Sequence, residues 1–334
     1  MKRFLVLWLS ILLALTLNSC FKKDSTVPYP DRGDVRVDTI AMTPTYLYQL
    51  YFRLDSAVVV SSNERTFSDL GFECRQEGYH IILNTADFMR IADMGVRTFA
   101  QAVDTSGAKW KFDKSDGDPD SIATGQWFSI VNGDTVSNGH IWALDMGKDV
   151  AGQHLGLRQI IFDSLKHNTY YFRYTTLQGG AITSAVVQKD QSVNYLFYGI
   201  RAGGIIEHME PPKTGFDLLF TQYTTLLFTD LKEAYPYLVT GVLTNQNNVK
   251  VAVDTIHTFS SIDLSVARSS IYSTSRDAIG YNWKLYDSKA DSYTVRTNLA
   301  YIIQDTRGYY YKMRFVSFYS AGRKGYPIIE TQRL

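Results

Sequence analysis

The chain has 334 residues and carries 34 Lys and Arg against 33 Asp and Glu, a net charge of +1. This leaves no basic excess with which to bind nucleic-acid phosphates. Hydrophobic residues at 45% and charged residues at 20% exclude a disordered chain and one embedded throughout in a membrane, and 23 Tyr and 18 Phe against 8 Pro and 2 Cys favour pleated sheet.

The first element is an address. Lys2 and Arg3 precede an apolar run, Phe4 to Leu17, that is broken only by Ser10 and Thr16. A bilayer-spanning helix needs about 20 apolar residues, so the run is too short for an anchor and has the layout of a secretory signal. Its end, Leu17-Asn18-Ser19-Cys20, resembles the lipobox of bacterial lipoproteins, where the signal is cut before the cysteine and the thiol receives diacylglycerol. The expectation is a signal peptide over 1–19, lipidation of Cys20 and a polar tether over 20–35. Cys74 then has no intramolecular partner, and its apolar strand context predicts an inert core thiol.

Further along, Tyr79 to Leu83 reads as a strand, and Thr85 to Phe99 reads as the main helix. Asp116, Asp118 and Asp120 alternate as in a calcium loop. Ser121 and Trp127 occupy the places where that loop needs Gly and Glu, so a plain acidic loop is expected. Asp230 to Tyr235 suggests a single helical turn. Asn245 to Asn248 is a turn before the strand Val249 to Val253, and Asp305 to Gly308 is a turn after the strand Leu299 to Ile303. The class is all-β with minor helix.

The chain also resembles itself. Placing Trp127 on Trp283 puts Asp149 on Asp305, Gly152 on Gly308, Arg158 on Arg314 and Phe162 on Phe318, with no gap. Upstream, Tyr51-Phe52 resembles Leu196-Phe197, and Asp69-Leu70-Gly71-Phe72 matches Asp217-Leu218-Leu219-Phe220. The order of landmarks predicts two tandem β units, 36–180 and 190–334.

The second unit carries Tyr195-Leu196-Phe197, the run Pro211 to Thr225 with Phe216-Asp217-Leu218-Leu219-Phe220 at its centre, and Val239 to Asn245. It continues with Val295 to Ile303 and Tyr309-Tyr310-Tyr311-Lys312-Met313-Arg314-Phe315. Together these resemble the HmuY family, surface haem-binding lipoproteins of Bacteroidetes, and the first unit echoes them faintly. The resemblance implies two tandem HmuY-like β-sheet domains, an outer-membrane, lipid-anchored location facing the cell surface, and capture of haem. It further implies partners in haemoproteins and an outer-membrane haem receptor, with the iron held by His or Met.

Physically such a site needs an apolar slot and soft or imidazole donors. The stretch where the family's late ligand would fall, Tyr286 to Asp291, has neither His nor Met; nor does its counterpart, Ile130 to Thr135. The remaining haem-binding candidates are His208 and Met209, adjacent in a loop, and His257 after a strand; Tyr also holds haem iron. Tyr309, Tyr310 and Tyr311 are candidates for an aromatic platform, which would suit a haem-free surface lipoprotein that binds glycan or protein. A purely structural surface component is the third reading. No nucleophile elbow, zincin helix, P-loop or dinucleotide fingerprint is present, so the chain is not expected to be an enzyme.

Overall fold

Alternating aromatic and β-branched residues bounded by Gly, Asn and Asp do form strands throughout the computed structural model, which describes residues 33–334 apart from Gly133. The signal peptide, Cys20 and residues 20–32 of the tether lie outside the described residues. The first strands are β1 (Arg36–Thr39), β2 (Tyr48–Arg53), β3 (Val58–Glu64), β4 (Leu70–Glu73), β5 (Ile81–Leu83) and β6 (Arg90–Val96). Next come β7 (Phe128–Val131), β8 (Asp134–Ser137), β9 (His140–Asp145), β10 (Leu157–Lys166), β11 (Thr169–Thr176) and β12 (Thr183–Gln188). Then follow β13 (Tyr195–Gly199), β14 (Gly204–Ile206), β15 (Leu218–Phe228), β16 (Ala234–Thr244) and β17 (Lys250–Asp254). A short helix, α1 (Leu264–Ser269), precedes β18 (Lys284–Asp287), β19 (Ser292–Val295), β20 (Ala300–Gln304), β21 (Tyr310–Ser317) and β22 (Ile328–Arg333).

Both expected helices are corrected. Asn84 caps a single 3-10 turn, Thr85–Asp87, and Phe88 at φ 62° turns the chain out of it. The rest of that segment is β6, paired with β9 through Ile91 opposite Leu144. Ile91 and Ala92 are thereby buried, and this tertiary gain overrides the segment's helical propensity. Residues 230–233 lie in the tip of the β15–β16 hairpin, and Ala234 and Tyr235 begin β16. The helix that does form, α1, is capped by Asp263, whose carboxylate accepts the Val266 N–H.

The sheets are built across the midpoint of the chain. One four-stranded sheet runs β14-β13-β4-β5, and another runs β3-β2-β15-β16. In the first, Leu70 of β4 lies opposite Tyr198 of β13. In the second, Leu218 of β15 lies opposite Phe52 of β2. Taken as units 36–180 and 190–334, each unit gives its leading hairpin, β2–β3 or β13–β14, to the sheet of the other. The hydrophobic cores follow the sheets and not the sequence order. One draws on residues from Leu70 to Ile200, the other on Ile40 to Ala57 together with Leu218 to Ile329. Strand β1 closes the second core's five-stranded sheet, β1-β22-β21-β20-β17.

The landmarks of the repeat occupy matching places. Asp149 Oδ1 accepts the N–H groups of Ala151 and Gln153, and Asp305 Oδ1 accepts those of Arg307 and Tyr309. Gly152 and Gly308 complete these turns at φ 81° and 89°, a conformation that glycine adopts without strain. Trp127 packs on Phe162 at 5.7 Å between ring centroids, and Trp283 on Phe318 at 5.9 Å.

Candidate functional site

The two halves of the chain differ at a hairpin. In the first, β7–β8 joins the main sheet, with Val136 opposite Ser164 and Thr135 opposite Leu165. In the second, the corresponding hairpin β18–β19 pairs only with itself. Strand β16 has eleven residues where its counterpart β5 has three. The long strand and the detached hairpin enclose a groove of about 500 Å³, within the usual range for ligand sites of roughly 300–1,000 Å³.

Tyrosine dominates its walls. Tyr235 and Tyr237 alternate along β16 and so share a face, with rings 6.2 Å apart at 85°. Tyr286 and Tyr293 are cross-strand partners in β18–β19, with rings 5.0 Å apart. Phe318 lies 4.5 Å from Tyr293, and Tyr46 lines the groove from the segment before β2. Burial, together with Tyr293 and Tyr319 nearby, raises the pKa of Tyr46. The Tyr286 hydroxyl donates to Asp291 at 2.7 Å, and that carboxylate holds the proton on the phenol.

Lys284 reaches into the same groove. Its ammonium donates to the carbonyls of Thr240 and Tyr281 and lies 4.4 Å from the centroid of the Trp283 ring. Burial alone pushes its pKa down to about 7. Neither His nor Met lines the groove. Of the stretch 286–291, Tyr286 lines it.

The sequence candidates are dispersed. His208 is exposed at φ 57°, whereas Met209 is 2% exposed, so the adjacent pair faces two environments. His257 bonds Asp254 at 2.8 Å in the turn after β17. Tyr309 is exposed and has the guanidinium groups of Arg307 and Arg333 at 5.4 and 4.2 Å from its ring centroid. Tyr310 packs on Tyr272, and Tyr311 is buried in the second core. The three rings thus stand in three different surroundings, Tyr309 in the turn before β21, Tyr310 beside Tyr272 and Tyr311 in the core. Asp118 caps a 3-10 turn, as a plain acidic loop would. Cys74 is buried, and its thiol is pushed up to about 11.

Sequence reading missed a second arrangement. His140 Nδ1 lies 2.8 and 2.9 Å from the two carboxylate oxygens of Asp93, at the edge of an approximately 780 Å³ cleft that Trp127 and Trp142 also line. The two residues stand 47 positions apart and meet across a β-bulge, which no local pattern signals.

Beside Met209, Glu210 is fully enclosed and accepts the Asn194 N–H at 2.6 Å; burial raises its pKa from 4.5 to about 7. The folded state thus retains a proton that the unfolded chain gives up. Stability is full below pH 4.5 and is lost as the pH rises through about 7. Urea unfolding should show a loss on the order of 3 kcal/mol across this window, and Glu210→Gln should flatten it. An unchanged slope in that variant would assign the pH dependence elsewhere.

A family model described as "HmuY protein" matches residues 45–330. Among solved structures, the chain is similar to one from Bacteroides fragilis, described as a candidate lipoprotein. The two share 16% identity at a TM-score of 0.23, over 54% of this chain and 90% of that one. No curated protein matches.

Proposed function

Because the chain belongs to the HmuY family over residues 45–330, we propose that it is a surface lipoprotein that captures haem in the tyrosine-lined groove. On this reading Cys20 carries the lipid anchor at the outer membrane, and bound haem passes to a receptor there. The observation that carries the proposal is the groove itself. Six tyrosines, from β16, β18–β19 and the segments around them, frame an apolar slot beside the family's ligand stretch.

The lone-pair donors lining the groove are the phenols, the Gln222 amide and the Thr240 hydroxyl. Phenolate is an established haem-iron ligand, and Tyr286 is the phenol that fits this part. Its hydroxyl donates to Asp291, which favours the neutral phenol, so haem iron would have to displace that proton for the oxygen to serve as phenolate. Tyr46, Tyr235 and Tyr237 supply ring faces and edges to a flat guest. Bound haem would contribute the redox-active iron. The chain's own residues bind and shield it.

Haemin titrated into the purified protein should give a saturable Soret change at about one equivalent. Tyr286→Phe should alter the ligand-to-iron charge-transfer bands while leaving the fold intact, since the Tyr286 ring is 53% exposed. No saturable change would refute haem capture. Binding of an oligosaccharide that Tyr235→Ala and Tyr237→Ala abolish would then favour the glycan-binding alternative.

A further inference from the structure

When protonated, Lys284 places in the groove a charge that no carboxylate among the described residues balances. Lys284 has two carbonyl partners and three aromatic rings about its ammonium: Trp283, Tyr293 and Phe318 at 4.4, 5.8 and 5.9 Å. Among the described residues no carboxylate pairs with it. An ammonium has three donors, and two are used. Lys324, exposed on the loop before β22, lines the same groove and likewise has no ion pair among the described residues. The groove's neighbouring carboxylate, Asp291, is engaged by Tyr286.

A mostly buried cation is costly unless an opposite charge completes it. We infer that the ligand supplies that charge: the groove selects a flat, largely apolar molecule bearing at least one carboxylate or other anionic group, which pairs with Lys284 at the groove's inner end and with Lys324 at its rim. This rests on the groove being the ligand site and names what the ligand must carry. The tyrosine faces accept any flat apolar skeleton, so discrimination falls to the two ammonium groups.

The geometry orders the two contributions. Lys284 is sheltered by aromatic rings, so its attraction for an anion is weakly screened. Lys324 is in water, where an ion pair contributes little. Removing Lys284 should therefore cost much more affinity than removing Lys324. The neutral form of the same ligand should be indifferent to both.

The test uses two probes with one ring skeleton, anionic 8-anilinonaphthalene-1-sulfonate and uncharged N-phenyl-1-naphthylamine, read by fluorescence on the purified protein. The native protein should prefer the anionic probe by tenfold or more. Lys284→Met should erase the preference without weakening the neutral probe, and Lys324→Gln should reduce it about twofold. Far-UV circular dichroism checks the fold of Lys284→Met, and the exposed Lys324 gives a variant that does not strain the core. Equal affinity for both probes, or a preference that survives Lys284→Met, overturns the inference. Haemin and its dimethyl ester separate this result from the haem reading. A Lys284-dependent preference for the anionic probe with no haemin binding sinks haem capture alone. Equal binding of haemin and its ester sinks the charge pairing alone.

Discussion

Replacing Trp283 by alanine is expected to destabilise the protein by about 3–5 kcal/mol and to abolish ligand binding in the groove. The ring is 2% exposed and stacks on Phe315 at 3.8 Å between centroids, with 7° between planes. Its removal leaves a cavity that Phe315 and Phe318 cannot fill without moving. Lys284 follows it directly in sequence and rests on its face, and Phe318 of the groove packs against it, so the groove loses the support beneath both. Trp127→Ala is the control in the other core. It should cost a similar amount of stability while leaving the groove's affinity unchanged. Trp283→Phe should cost far less, because the buried indole N–H of Trp283 has no acceptor among the described residues. Urea unfolding followed with a probe titration measures both effects. If Trp283→Ala and Trp127→Ala weaken binding equally, the groove is not the site.

The second large effect concerns Asp217. One of its carboxylate oxygens accepts the Leu54 N–H at 2.8 Å, and the other accepts the N–H and hydroxyl of Thr306 at 3.2 and 3.3 Å. Leu54 follows β2, in the hairpin given to this sheet by the first half of the chain. Thr306 sits in the turn between β20 and β21. One side chain therefore joins three segments that are distant in sequence. Asp217→Ala strands the buried Leu54 N–H and frees the half-buried Thr306 N–H, a lost buried bond being worth about 1–3 kcal/mol, and a total loss of about 3 kcal/mol is expected. Amide exchange at Leu54 and Thr306 should accelerate more than exchange in β10 or β11, which belong to the other core. Uniform acceleration would mean that the carboxylate stabilises the whole fold without pinning this junction.

Strand content was legible because its signals are local. Val249 to Val253 and Leu299 to Ile303 alternate and end in recognisable turns, and the matched Asp149 and Asp305 turns recur with the same hydrogen bonds. Which strands pair was not legible. The leading hairpins β2–β3 and β13–β14 carry similar patterns, so either suits either sheet, and only long-range packing assigns them. The segment after Thr85 misled because Ala86, Met89 and Ile91 suit a helix as well as a strand, and the opposite strand β9 decides. The groove was half legible. The stretch from Tyr286 to Asp291 was singled out, and its lack of His and Met was plain. The tyrosines that face it come from segments far apart in the sequence. His140 and Asp93 left no trace in the sequence.

The traded hairpins make the protein resemble two interlocked links more than two beads on a string. Neither link can be drawn from the other without first opening a four-stranded sheet. Severing the connection between β12 and β13 would produce fragments that still clasp one another, each missing an edge that the other supplies. Either half alone would be a body with an unfilled seam.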